Sequence, residues 1–318
     1  MISLEANEKT LREKDMALQP VPLNTTPDET YFRKSRLWQG IPGIERTYGG
    51  RFWRCFFSGG NDEGPDNYVA VEISDDACDT WSEPIVVIDP PGNVRAFDPC
   101  LWRTPSNELF LFWAQSYGGF DGRAGCWYSV CREPDEAPNV WTEPIRIADG
   151  VMLNKPTVLM NGEWALPITL WGHVKSSLNP NVPNCLAKMY VSSDQGKTFE
   201  YRGGVDMPNR WFDESMILEK NDGTLQMLTR RKDGIGEAFS HAGGRTWGKI
   251  GKFCLGGPNS RFHIRKLHSG HILLINHWSP DNRFDTPRGD DPDYMARNNL
   301  AAFLSVDDGK TWSAPLLL

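Results

Sequence analysis

An eight-residue pattern, Ser-x-Asp-x-Gly-x-Thr-Trp, recurs four times along this chain. Its fullest copy is Ser305-Val306-Asp307-Asp308-Gly309-Lys310-Thr311-Trp312. Ser192-Ser193-Asp194-Gln195-Gly196-Lys197-Thr198-Phe199 ends in Phe instead of Trp. In Ser240-His241-Ala242-Gly243-Gly244-Arg245-Thr246-Trp247 the Asp is replaced by Ala242, and in Ser74-Asp75-Asp76-Ala77-Cys78-Asp79-Thr80-Trp81 the Gly is replaced by Cys78. Ser and Asp ahead of Gly make a tight turn, because Asp hydrogen-bonds the backbone just after it and Gly takes φ > 0 without a steric cost. The Thr and aromatic that follow re-enter a strand. Each copy therefore predicts a hairpin between two strands of one sheet. A turn of this kind repeated every roughly 50 to 65 residues predicts a β-propeller.

A second element follows the turn directly, as Trp81-Ser82-Glu83-Pro84 and Trp312-Ser313-Ala314-Pro315. It occurs once more as Trp141-Thr142-Glu143-Pro144, which places a further blade near 125–148 whose turn pattern is gone. Strand-like runs fill the intervals. Arg51–Phe57 and Tyr68–Ile73 belong to a first blade, and Glu108–Ala114 with Cys126–Val130 to a second. Pro156–Met160, Trp164–Ile168 and the run before Ser192 belong to a third. A fourth holds Ser215–Leu218, an Asn221-Asp222-Gly223 hairpin turn and Leu225–Leu228. The fifth holds Phe262–Ile264, Ile272–Ile275 and Leu300–Leu304. Only residues 6–16 read as a short helix. We expect an irregular N-terminal segment over 1–35 and one all-β propeller over 36–318.

Composition agrees with a single large β domain. The 318 residues are 39% hydrophobic, with 13 Trp and 15 Phe for a core and 30 Gly and 23 Pro for turns. A net charge of −7 without a basic run argues against nucleic acid or an anionic membrane as partner. Seven cysteines at unpatterned positions suggest buried thiols in a reducing compartment. The first residues are polar and lack the apolar run of a secretory leader, so a cytoplasmic location is expected. The six His have no metal-ligand spacing, and Asp290-Asp291-Pro292-Asp293 reads as a solvated loop, so no metal is expected.

The repeated turn resembles the Asp-box of the sialidase (neuraminidase) superfamily, whose members are six-bladed propellers. By that resemblance the chain holds about five blades and stops short of a sixth. Three spacings extend the likeness to single residues. Glu214 and Arg230 lie sixteen positions apart ahead of a box, as in bacterial-type sialidases. Arg297 lies fifteen before Trp312, and Asp62 nineteen before Trp81, with Glu63 beside it. The resemblance implies that Arg230 and Arg297 clamp a sugar carboxylate, since the guanidinium fork matches a carboxylate bidentately. It implies Asp62 or Glu63 as general acid, its pKa raised by enclosure. Glu214 would be the base that activates a tyrosine nucleophile, the sialidase exception to the two-carboxylate rule.

The chain departs from the pattern twice. The family's first clamp arginine directly precedes Ile-Pro, where this chain has Gly40 before Ile41-Pro42, with Arg36 four residues earlier. The nucleophilic tyrosine is expected about a dozen residues after the last box, beyond Leu318. Arg261 in Gly257-Pro258-Asn259-Ser260-Arg261 is a further candidate for the clamp, and Arg95, Asp98 and Lys155 could line a pocket. Trp38, Trp113, Trp171, Trp211 and Trp278 could stack on sugar faces or fill inter-blade core. The expected activity is an exo-glycoside hydrolase of exo-α-sialidase type that releases a terminal acidic sugar and needs no cofactor. The alternatives are a non-catalytic carbohydrate-binding propeller, and a hydrolase or lyase for another uronic-type sugar.

Overall fold

The computed structural model describes residues 4–171, 186–279, 287–288, 291–295 and 297–318. The chain opens with helix α1 (Leu4–Asp15), in place of the expected 6–16, and three single 3-10 turns. Everything after them is β. The first sheet takes β1 (Gln39–Arg46), β2 (Phe52–Ser58), β3 (Tyr68–Ser74) and β4 (Val86–Ile88) in that order, all antiparallel. The second takes β5 (Val94–Arg103), β6 (Leu109–Tyr117), β7 (Gly125–Cys131) and β8 (Ile145–Asp149). The third takes β9 (Thr157–Val158), β10 (Trp164–Thr169), β11 (Ala187–Ser192) and β12 (Glu200–Val205). The fourth is β13 (Arg210–Glu219), β14 (Leu225–Arg231), β15 (Gly234–Ser240) and β16 (Gly248–Lys252). In the fifth, β17 (His263–Lys266) and β18 (Ile272–His277) continue into β21 (Leu300–Ser305) and β22 (Leu316–Leu317). A separate hairpin, β19 (Pro287–Arg288) with β20 (Asp291–Met295), interrupts the fifth sheet between its second and third strands. The five expected blades are these five four-stranded sheets.

The middle strands are rich in aromatic and β-branched residues and are buried on both faces. All seven residues of β7 are buried, as are the first eight of β6. Such strands need cover on each side, which is why they read as continuous apolar runs instead of alternating ones. The chain divides into two compact units, the first through Lys155 and the second from Pro156. In the first unit Phe56, Tyr68, Ala70 and Val87 pack together against Tyr31 of the N-terminal segment. That segment is tied down at several points. Asn24 bridges Val87, the Tyr31 hydroxyl donates to Asp89 at 2.7 Å, and buried Gln115 donates to the Ala17 and Gln19 carbonyls. In the second unit one core joins the third and fourth sheets around Met189, Ile217 and Met227, and another joins the fourth and fifth around Leu228, Phe262 and Phe303.

All four repeated turns join the third and fourth strands of their sheets, as the sequence predicts. The Ser hydroxyl accepts the backbone N–H four residues on, at 3.0 Å from Cys78, 2.8 Å from Gly196, 2.9 Å from Gly244 and 2.8 Å from Gly309. Where Asp is present it gathers the turn. Asp307 accepts from Ser305 Oγ at 2.9 Å, Lys310 N at 3.1 Å, Thr311 N at 2.8 Å and Thr311 Oγ1 at 2.6 Å. The Gly position is left-handed in every copy, with φ of 84° at Gly196, 87° at Gly244 and 83° at Gly309. Cys78 is forced to φ 77° there. The second element also has a fixed job. Ser82, Thr142 and Ser313 each donate their backbone N–H to a third-strand carbonyl and accept that strand's N–H on the hydroxyl. That pair of hydrogen bonds holds the second sheet's edge although its own turn pattern is gone.

Cys55, Cys100, Cys126 and Cys131 are buried as expected, whereas Cys78 is half-buried and Cys254 exposed, and none of these six is in a disulfide. Among the described residues no helix is long and apolar enough to cross a membrane, and no group of three or more His, Cys, Asp or Glu could hold a metal ion. Asp290 lies outside the described residues.

Candidate active site

The first strands of three sheets share a distortion. β1, β5 and β13 each carry a bulge against the second strand, and each bulge holds one non-glycine residue at positive φ: Ile41 at 47°, Asp98 at 47° and Phe212 at 54°. Bulges of this kind re-aim side chains beside functional sites, and backbone strain concentrates there.

In the second unit the bulge leads directly into a buried polar cluster. Glu214, 5% exposed, follows Phe212 by two residues. Its Oε1 accepts from an Arg230 terminal nitrogen at 2.5 Å, with both side chains only 6% exposed. The sixteen-residue spacing is thus a contact between neighbouring strands β13 and β14. Arg230 Nε donates to Asn259 Oδ1 at 2.7 Å and a terminal nitrogen to the Asn259 carbonyl at 3.4 Å. Arg297 donates to that same carbonyl at 3.2 Å. Both predicted clamp arginines therefore meet on one backbone oxygen. The Arg230 guanidinium also lies 5.0 Å from the Phe212 ring, a cation–π contact that the strained bulge makes available.

The cluster holds an unsatisfied acceptor. Glu214 Oε2 is buried and has no hydrogen-bond partner among the described residues. A buried carboxylate oxygen without a donor costs free energy. The arrangement thus offers an acceptor for a hydroxyl proton, beside two guanidiniums suited to a carboxylate. Nothing in the sequence singles out Asn259, which is fully buried and joins the two arginines. It acts through its side-chain oxygen on Arg230 and through its main-chain carbonyl on both arginines, and the carbonyl leaves no residue-type signal. Arg261, two residues on, is half-buried beside buried Ser260 and Phe262. Arg231, the neighbour of Arg230, points to a structural pairing with Asp233 at 2.8 Å.

The first unit places its candidates differently. Arg36 is not on β1 but ahead of it, and its guanidinium is buried against Glu72 at 2.6 Å and over the Phe56 ring at 4.6 Å. Arg54 reaches the other oxygen of Glu72, so that carboxylate is held from both sides. The space a side chain at position 40 would need is taken by Trp38, whose indole carbons lie 2.7 and 2.9 Å from where a Cβ would be. Asp62 and Glu63 are exposed on the loop between β2 and β3, so the loop itself does not supply the enclosure expected around them. Asn67, 1% exposed, shapes that loop. Its amide donates to the Gly59 carbonyl at 2.9 Å and the Asp62 carbonyl at 3.1 Å, and accepts from Gly64 N at 2.7 Å. Arg95 and Asp98 lie within β5 and are buried, Arg95 with its guanidinium 3.8 Å from the Phe97 ring. Lys155 is committed to Glu45 at 2.8 Å and the Ile44 carbonyl at 2.6 Å. Trp113 and Trp171 are buried core residues, while Trp38, Trp211 and Trp278 are half-buried.

Repeated turns, five blades and this polar cluster together define a propeller of the sialidase type. The BNR repeat-like domain model matches residues 50–318, and the chain belongs to that family. The fold is shared with several solved structures. A Hadza microbial sialidase, Hz136, superposes with a TM-score of 0.65 at 17% identity over 89% of this chain and 59% of its own length. A protein of unknown function from Dyadobacter fermentans gives 0.67 at 16% identity, over 93% of this chain and 87% of its own. An intramolecular trans-sialidase from Ruminococcus gnavus, solved with oseltamivir carboxylate, gives 0.61 at 13%, over 92% and 86%. The chain thus spans about three fifths of the sialidase Hz136. No curated protein matches.

Proposed function

We propose that this protein recognises a terminal acidic sugar through Arg230 and Arg297 and acts on it as an exo-α-sialidase-type glycoside hydrolase. The observation that carries this is the buried convergence of Arg230 and Arg297 on the Asn259 carbonyl, with Glu214 Oε2 left without a donor beside them. Fixed guanidinium forks suit a carboxylate, and ion pairs of this kind are stronger and better oriented than lysine contacts. In this reading Glu214 accepts the proton of an attacking hydroxyl while its Oε1 stays on Arg230. The bond to the leaving oxygen breaks as Asp62 or Glu63 gives that oxygen a proton. In this reading Arg230 and Arg297 carry recognition, and Glu214 with Asp62 or Glu63 carries proton transfer.

The test is a titration with a fluorogenic α-sialoside, read as binding and as release of the fluorophore. Saturable binding that falls tenfold to a hundredfold in Arg297→Ala is expected from loss of one charge-assisted pair, about 1.5–3 kcal/mol. Release with binding establishes the hydrolase. Binding without release moves the conclusion to a carbohydrate-binding propeller, and no binding in the unmodified chain overturns the assignment.

A further inference from the structure

The third repeated turn, Ser240–Trp247, has lost the residue on which its sister turns close. In the Ser192 turn, Asp194 accepts from Ser192 Oγ at 2.9 Å, Lys197 N at 3.1 Å, Thr198 N at 2.9 Å and Thr198 Oγ1 at 2.6 Å. The Ser305 turn repeats these four bonds with Asp307. Ala242 stands at that place in the fourth sheet, yet the backbone is unchanged. Gly243 and Gly244 keep φ of 58° and 87°, matching 59° and 84° at Gln195 and Gly196. Ser240 Oγ still accepts from Gly244 N at 2.9 Å.

The donors are therefore kept while their acceptor is gone. Arg245 N turns to the Ala242 carbonyl at 3.2 Å. Among the described residues, neither Thr246 N, Thr246 Oγ1 nor the Ser240 hydroxyl hydrogen has an acceptor, and Ser240 is 1% exposed. A surface cavity of about 350 Å³ opens beside the turn, lined by Phe239, His241, Thr246, Trp247 and Lys249. Lys249 adds a cation, and the Trp247 ring is half-buried at the wall.

We propose that this turn is a second ligand site, a seat for the carboxyl group of an acidic sugar, with the sugar ring against Trp247. It stands apart from the arginine cluster and does not depend on the activity proposed above. The strand register puts it at the opposite end of the sheet: Ser240 pairs with Leu225 at the start of β14, whereas Arg230 pairs with Ile235 near its end. An incoming carboxylate must keep about 3.5–4 Å from the Ala242 methyl. It therefore sits further out than a side-chain carboxylate does, where Thr246 Oγ1 can rotate toward it and Lys249 can reach it.

The experiment follows the Thr246 amide by NMR in the full chain. Glucuronate and acetate are titrated against sodium chloride at equal ionic strength, with methyl glucoside as the neutral sugar. Both acids should shift the Thr246 amide saturably, and glucuronate should do so at lower concentration. Methyl glucoside and chloride should leave it in place. Ala242→Asp, which supplies its own carboxylate, should abolish the response, and Arg230→Ala should leave it intact. Equal concentrations for acetate and glucuronate would keep the carboxylate seat but overturn the sugar. A response no larger than that to chloride, or one that persists in Ala242→Asp, would overturn the site itself.

Discussion

At the scale of single residues, the two positions that break a local rule are the most informative. Cys78 sits at φ 77° in a place where three sister turns use Gly. A left-handed conformation costs an L-residue roughly 1–2 kcal/mol. Cys78→Gly should therefore stabilise the protein by about 1 kcal/mol in chemical denaturation, part of the gain being offset by the greater freedom of Gly in the unfolded chain. That position is legible in the sequence, because the repeat states what belongs there. The Glu214 pair makes the opposite prediction. Glu214→Ala would leave the Arg230 guanidinium buried without its carboxylate, at a cost of about 3–5 kcal/mol. Glu214→Gln keeps the shape and an acceptor but removes the charge, so its loss reports on charge, and the further loss in Glu214→Ala reports on the hydrogen bond and packing. The pairing is visible as a spacing of sixteen, but the burial that makes it costly is not. Asn259 is invisible for another reason: it joins the two arginines through a main-chain carbonyl, which any residue type offers, and its side-chain bond to Arg230 has no spacing or repeat to mark it.

The unit of folding at the next scale is the turn with its two strands. Asp76, Asp194 and Asp307 are each held at a pKa of about 2, first by the threonine hydroxyl and then by the threonine N–H donating to the carboxylate. Their folded pKa lies below the ordinary value of 3.8. The stabilisation is thus fully present above about pH 4 and is lost as pH falls through about 2. Asp307→Asn removes one of these linkages. The variant should melt below the parent at neutral pH, and its melting temperature should fall less steeply between pH 4 and pH 2. Parallel curves would mean that the turns do not carry the acid sensitivity. Blades whose turns are intact can be placed from the sequence alone. The second blade has no repeated turn and shows through its strand runs and Trp141-Thr142-Glu143-Pro144, where Thr142 makes the same edge bonds as Ser82 and Ser313. The hairpin β19–β20 inside the fifth blade has no such marker, and Asp291, Pro292 and Asp293, which read as a loop in the sequence, form the start of β20.

For the whole molecule, family and fold follow from features that repeat, whereas the site depends on features that occur once. Four copies display the turn and five blades display the strands. The candidate site has only isolated spacings. Arg230, Glu214 and Arg297 do come together in one unit, and their shared partner explains how. Arg36 instead joins Glu72, a contact set by how the N-terminal segment folds back and not by distance along the chain. Asp62 and Glu63 remain exposed on a loop shaped by Asn67. Asn67→Ala should loosen that loop and lower turnover of an acidic glycoside more than its binding, because the arginines are untouched. The central claim is that two guanidiniums fixed on the Asn259 carbonyl recognise a sugar carboxylate, and calorimetric titration of sialic acid beside its methyl ester tests it most directly. The account predicts saturable binding of the acid, at least tenfold weaker binding of the ester, and no such preference in Arg230→Ala or Arg297→Ala. Equal binding of acid and ester by the unmodified chain, or a preference that survives both substitutions, would contradict it.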